Sequence, residues 1–418
     1  MYESTCDDMQ VSSKVREIRV DEGALPWALG WSIDEDRQWM LKCIREAEIL
    51  SVHSSTFDLS LLSNLARVAR VEISNRKNLV GLENLRVVNE ITLNNVDSIE
   101  GLVSLKSANR LIIRDSTADV IDLSNMRTLN YVEIKRGQLS EIKLSWRITN
   151  ELFLQELPNL QTITGNSTRV SKLRLGNTGI RNILINPTNM VDDRLSLWNN
   201  SNLETIDVAF PQDKFEISSI DSKSLKRISV KGAEELKIGI NNGSSFDIPP
   251  LKIDAEAESL FFRSYSTDIE SLSSSAEIGS FGHFEGSFGT LSLPKLVQTR
   301  DLGIDAKEIN LPLLRIVTGQ LSLLQANVVD LPELLYVDES ILFGKNSKTR
   351  LISLPKLAFA RRIRAEGLPE LETLNINDKV NIESNVSIFG NPKLCQTEEQ
   401  REKFLSIENV ESCKNTAD

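Results

Sequence analysis

The residues with the widest chemical repertoire in this chain are two histidines, four cysteines and a large supply of carboxylates. His53 and His283 stand far apart and leave little material for a Ser-His-Asp or Cys-His nucleophilic site. Both read as incidental. Glycoside cleavage would need two carboxylates at a fixed separation on one face, and no acidic pattern stands out from the solvated positions around it. No glycine-rich phosphate loop or dinucleotide fingerprint is present either. The expectation is a chain that is not an enzyme and takes no cofactor.

The cysteines sit only at the two ends. Cys6 and Cys43 bracket the amino-terminal region, Cys395 and Cys413 the carboxyl end. Four cysteines allow three pairings, of which near-neighbour pairing at each end is the simplest. Structural disulfides are the leading expectation, and such end clips point to an oxidising compartment. Free buried thiols are the second reading. Zinc is disfavoured, because it would need closer cysteine pairs or histidines nearby.

What must hold any such residues is a repeat. An apolar-x-apolar pair recurs from Val71-x-Ile73, Ile91-x-Leu93 and Leu111-x-Ile113 through to Ile363-x-Ala365 and Val386-x-Ile388, with successive starts 19–24 residues apart. Period-two apolar alternation is the mark of a short half-buried strand, one per coil. Between the pairs lies a second motif, Leu-Pro-x-Leu, as at Leu293–Leu296, Leu331–Leu334 and Leu354–Leu357. In the first half the same place reads Leu82–Leu85, Leu102–Leu105 and Leu123–Met126. Proline belongs at a corner, with the flanking leucines pointing inward. Four residues after a pair begins there is often Asn or Asp: Asn75, Asn95, Asp115, Asn177 and Asn199. These residues tolerate left-handed backbone and predict a second corner.

The fold class expected is mainly β, a right-handed parallel β-helix or leucine-rich-repeat-like solenoid of about twenty residues per coil. The coil is too short for a helical crossover of about a dozen residues in every repeat. Short helical caps are expected at both ends, since an open stack exposes sheet edges. Residues 1–50 read as the amino-terminal cap. A helix is expected over 32–50, with Ser32-Ile33-Asp34-Glu35 as its capping box and Trp39, Met40, Cys43 and Ile44 on its apolar face. Trp27, Trp31 and Trp39 supply bulk to seal that end, with a binding patch as the second reading. Residues 51–394 read as one continuous solenoid, and 395–418 as the carboxyl cap, opened by Thr397-Glu398-Glu399-Gln400. The least regular stretch, 241–290, leaves open a division into two lobes. Within it, Phe281, Phe284 and Phe288 either fill poorer coils or form a partner patch.

Lys and Arg number 48 against 59 Asp and Glu, a formal net charge of -11 that argues against nucleic acid as a partner. No apolar run is long enough to cross a membrane as a helix. Met1 runs into polar residues and the carboxyl end lacks a hydrophobic tail, which taken literally predicts a soluble intracellular, cytoplasmic chain. Glycosylation sequons begin at Asn166, Asn199, Asn242 and Asn385, about as many as chance provides in a chain rich in Asn and Ser.

The stretch Asn78-Leu79-Val80-Gly81-Leu82-Glu83-Asn84-Leu85-Arg86-Val87-Val88 resembles the coil of receptor L domains, known from insulin and epidermal growth factor receptors. Ile388-Phe389-Gly390-Asn391-Pro392-Lys393-Leu394-Cys395 is similar to the Asn-Pro-x-Leu-Cys close of such domains. The Leu-Pro-Lys-Leu units, with cysteines only at the ends, resemble fungal GPI-anchored cell-wall organisation proteins with L-domain-like repeats. That resemblance implies an extracellular glycoprotein at the cell surface or wall, supporting wall organisation and binding protein or cell-wall glycan on a solenoid face. A ligand-binding L-domain ectodomain of a receptor-like protein is the second expectation, an intracellular repeat scaffold the third.

Overall fold

The computed structural model describes residues 13–23, 26–28, 31–33, 35–144, 147–165, 169–185, 190–209, 214–241, 251–265, 269–281, 288–344 and 348–394. Parallel stacked coils of about 21 residues form a β-solenoid. By internal contacts the chain divides into two compact units, Met1–Arg181 with Ile185–Leu203, and Asn182–Leu184 with Glu204–Asp418.

In the first unit the apolar pairs stack in register. Val71 lies opposite Ile91, Ile91 opposite Leu111, Leu111 opposite Val132, and so on through Leu152, Leu173 and Leu195. All of these side chains are buried. A slip of one residue would turn a whole strand's aliphatic set toward water, which is what locks the register. The second unit repeats the arrangement. Phe215 faces Leu236, Leu236 faces Leu260, and the ladder from Leu302 passes through Leu321, Ile341 and Ile363 to Val386. The weak rung at Phe281 pairs with Phe262 on one side and Leu302 on the other.

Both corners follow the sequence pattern. In every Leu-Pro-x-Leu unit the second leucine's N–H donates to the first leucine's carbonyl, for example Leu296 to Leu293 at 3.1 Å and Leu334 to Leu331 at 3.2 Å. The proline-free versions make the same turn, with Leu85 to Leu82 at 3.0 Å and Met126 to Leu123 at 3.1 Å. At the other corner Asn75, Asn95, Asp115, Asn177 and Asn199 all adopt left-handed backbone, with φ between 52° and 58°. Arg136 and Glu156 occupy the same place at φ 54° and 57°, where neither residue type is favoured. Arg136 is compensated by a two-pronged bond to Asp115 of the coil before, Nε to Oδ1 at 2.7 Å and a second nitrogen to Oδ2 at 2.9 Å.

Two glycines of the first unit mark backbone contact between coils. Gly81 has φ +110°, and a Cβ there would fall on the backbone of Leu59 and Ser60. One coil on, a Cβ on Gly101 would strike the carbonyl of Leu79. Two asparagines close coils by another device. Asn200, 1% exposed, donates Nδ2 to the Leu175 carbonyl at 2.8 Å and accepts from the Thr178 N–H at 3.0 Å and its hydroxyl at 2.8 Å. Asn391 of the second unit, equally buried, donates to the Ala365 carbonyl at 2.7 Å and accepts from the Leu368 N–H at 2.8 Å. Each follows a left-handed residue, Asn199 or Gly390.

The amino-terminal region departs from expectation. The helix expected over 32–50 is a 3-10 helix limited to Glu35–Cys43, and Glu46–Val52 is a strand. Leu41 and Ile44, three residues apart, are both fully buried, and the Ile44 N–H closes a turn on the Leu41 carbonyl at 3.2 Å. Three-residue spacing suits the 3-10 repeat, in which side chains at i and i+3 eclipse. Leu50-x-Val52 then behaves as another rung, opposite Val71-x-Ile73, and Ile18-x-Val20 stacks beyond it. The region read as cap therefore holds two further coils. On the outermost strand, Lys14–Val20, the short strand Trp27–Ala28 pairs antiparallel, and Trp31–Ser32 pairs antiparallel with that. The expected carboxyl cap, with its Thr397 capping box, lies outside the described residues.

Candidate binding surface

In each coil the residues just before, between and just after the apolar pair project from the outer side of the sheet. Across the five strands from Ser107–Ser116 to Met190–Trp198, one column reads Arg110, Tyr131, Glu151, Lys172, Arg194. The next reads Ile112, Glu133, Phe153, Arg174, Ser196, and the third Arg114, Lys135, Gln155, Gly176, Trp198. All lie in the first unit.

The centre of this grid is built around Glu133, whose side chain is only 6% exposed. It accepts from the Tyr131 hydroxyl at 2.8 Å and from Arg114 at 3.1 Å, and Lys135 stands 3.3 Å away. Burial opposes its charge, but the hydrogen bonds from Tyr131, Arg114 and Lys135 outweigh that and hold its pKa below the ordinary value. Phe153, 9% exposed, is covered by the Lys135 ammonium at 4.5 Å and the Arg174 guanidinium at 4.7 Å from its ring centre. Arg174 also lies 5.6 Å from the Trp198 ring and bonds Glu151 at 3.1 Å. The Phe153 and Trp198 rings are 5.5 Å apart and tilted by 40°. Trp198 lies over Gly176, where any Cβ would collide with the indole. Arg110 sits 5.1 Å from the Tyr131 ring. The rings and carboxylates thus hold a set of cations in place, each over a ring face or beside a buried acid.

Tyr131 is raised from 10.0 to about 12, first by burial and then by its bond to Glu133 and that residue's charge. Its neutral form is the one favoured in the folded chain. Its contribution to stability is therefore complete below the unfolded value and is lost as pH climbs through 10 toward 12. Ultraviolet titration should show a tyrosine ionising near pH 12. Glu133→Gln should bring that step down without restoring the ordinary value, because burial remains. An unchanged titration curve in the variant would remove Glu133 from the account.

Other chemistry-bearing residues fall elsewhere. His53, at the amino-terminal end of the same face, bridges two coils through Nε2 to the Ser51 hydroxyl at 2.8 Å and Nδ1 to the Ser74 hydroxyl at 2.8 Å. His283 lies outside the described residues, as do Cys6, Cys395, Cys413, Asn166, Asn242 and Phe284. Cys43 is buried and disulfide-bonded. Asn199 is exposed at its left-handed corner, and Asn385 is exposed on the strand Asn381–Phe389. Phe281 and Phe288 are not strand neighbours: Phe281 pairs with Phe262 and Leu302, whereas Phe288 pairs with Ile269 and Ala306. In the second unit a cleft of about 320 Å³ is lined by Lys231, Asp254, Glu256, Ser273 and Lys295, whose charges offset one another. Among the described residues no three His, Cys, Asp or Glu side chains are grouped to hold a metal, and no helix is long and apolar enough to cross a membrane.

The repeat predicts only that grid positions lie on the outer side of the sheet, and nothing in it singles out Tyr131, Glu133, Phe153, Arg174 or Trp198. The available signal was aromatic residues at positions where other coils carry polar ones. No protein-family model, curated protein or solved structure matches the chain.

Proposed function

We propose that the chain is a non-enzymatic surface glycoprotein that binds protein or glycan on the strand face between Ser107–Ser116 and Met190–Trp198. The observation that carries this reading is the layer of cations held by rings and by two carboxylates beneath them, the buried Glu133 and the half-buried Glu151. Such a layer is pre-organised, so a ligand meets fixed side chains and loses less to ordering them. The disulfide at Cys43 supports an oxidising compartment, in keeping with the cell-surface and wall proteins that the coil motifs resemble.

The test is an array of glycans and extracellular protein domains probed with the full chain. A specific ligand is expected, weakened about tenfold or more by combining Arg174→Ala with Trp198→Ala, since buried aromatic and arginine anchors dominate such surfaces. Val80→Ser, at an exposed turn, should leave it unchanged. Equal binding by wild type and the double variant would sink the proposal. Native material should also carry glycan at Asn199 or Asn385; bare asparagines together with reduced cysteines would favour an intracellular scaffold.

A further inference from the structure

Resting on that reading of the strand face, we infer that its ligand is an anionic polysaccharide, a sugar chain bearing carboxylates or sulfates. The grid carries six cations, Arg110, Arg114, Lys135, Lys172, Arg174 and Arg194, against two carboxylates, Glu133 and Glu151, in a chain of formal net charge -11. Charge is also sorted by depth. The side chains of Glu133 and Glu151 are 6% and 17% exposed, whereas Arg114 and Arg174 are 37% and 46% exposed, and Arg110 45%. The water-facing layer is cationic and its countercharge lies beneath. Anions approaching from solvent meet the guanidinium groups first.

The layout favours a sugar polymer over other polyanions. Cations recur on strands about 4.8 Å apart, close to the length of one sugar along an extended chain. Tyr131 and Trp198 are half-buried, so part of each ring stays open to the apolar C–H groups of sugars. Backbone groups in this face are consumed by the parallel ladders on both sides, so an extended acidic peptide cannot add as a strand. Nucleic acid calls for a broadly basic domain, which this acidic chain is not.

The full chain should be titrated with polygalacturonate, heparin, neutral laminarin, polyglutamate and single-stranded DNA. Polygalacturonate or heparin should bind with an affinity that falls as salt rises. Combining Arg114→Gln with Arg174→Gln should weaken it about tenfold or more, since each removes charge-assisted hydrogen bonds. Lys231→Gln with Lys295→Gln, a pair in the second unit, should have no effect. Circular dichroism should match wild type in both variants. Laminarin binding that Trp198→Ala weakens, with no retention of either acidic polysaccharide, would overturn this inference and leave the surface reading standing. Polyglutamate or DNA binding as tightly as the acidic sugars would overturn the glycan assignment. If every ligand bound both variants equally, the face itself would be wrong.

Discussion

Gly81→Ala should lower the unfolding free energy of the first unit by about 2–5 kcal/mol, from left-handed strain plus overpacking. Gly81 holds φ +110°, which an L-residue with a Cβ rarely adopts, and the added carbon would sit on the backbone of Leu59 and Ser60. Neither partner is a flexible side chain that can swing aside. Relief would need the coils to part, which breaks the ladder between Arg67–Arg76 and Glu46–Val52. Gly101→Ala, against the Leu79 carbonyl, should behave alike although its φ is ordinary, separating steric contact from backbone strain. Denaturant unfolding followed by tryptophan fluorescence measures both. An unfolding midpoint within error of wild type for Gly81→Ala would show that the coils can part cheaply.

Asn200→Ala should cost about 2–4 kcal/mol, because it leaves the Leu175 carbonyl and the Thr178 N–H buried without their partner. Asn200→Asp should cost more at neutral pH: it keeps the acceptor, loses the donor to Leu175 and places a charge where the residue is 1% exposed. Burial would raise that carboxyl's folded pKa above its unfolded value of about 3.9. The protonated form can again donate to Leu175. Stability should therefore be recovered below the unfolded pKa and lost as pH rises through the folded one. A variant whose unfolding midpoint, relative to wild type, is the same at acid and neutral pH would contradict the donor role of Asn200. Asn391→Asp offers the same comparison in the second unit.

Much of the architecture was legible because the repeat is enforced by burial. Leu111, Val132 and Leu152 recur because each must lie against the next, and left-handed backbone at Asn75, Asn95 and Asn177 restricts which residues fit there. The first two coils were not legible. Ile18 and Leu50 are 32 residues apart, a gap that hides the period, and a capping-box pattern at Ser32 competed with the alternation in Leu50-x-Val52. The strand face was legible least. Its positions are constrained only to tolerate water, so Glu133 and Phe153 look like ordinary variation until the register sets them beside Lys135 and Arg174. Asn200 was hidden for a related reason: its value lies in two backbone groups of the preceding coil, which no local pattern reveals.

The strand Trp27–Ala28, which runs against Lys14–Val20 at the amino-terminal edge, also limits assembly. A parallel stack is a template for its own extension, and a second molecule presenting a matching edge could continue it into a filament. By folding back on Ile18 and Arg19 in the opposite direction, the chain occupies donors and acceptors that a newcomer would need. Growth at that edge is opposed at Ile18 and Arg19 by a strand of the chain's own, without recourse to a separate blocking subunit.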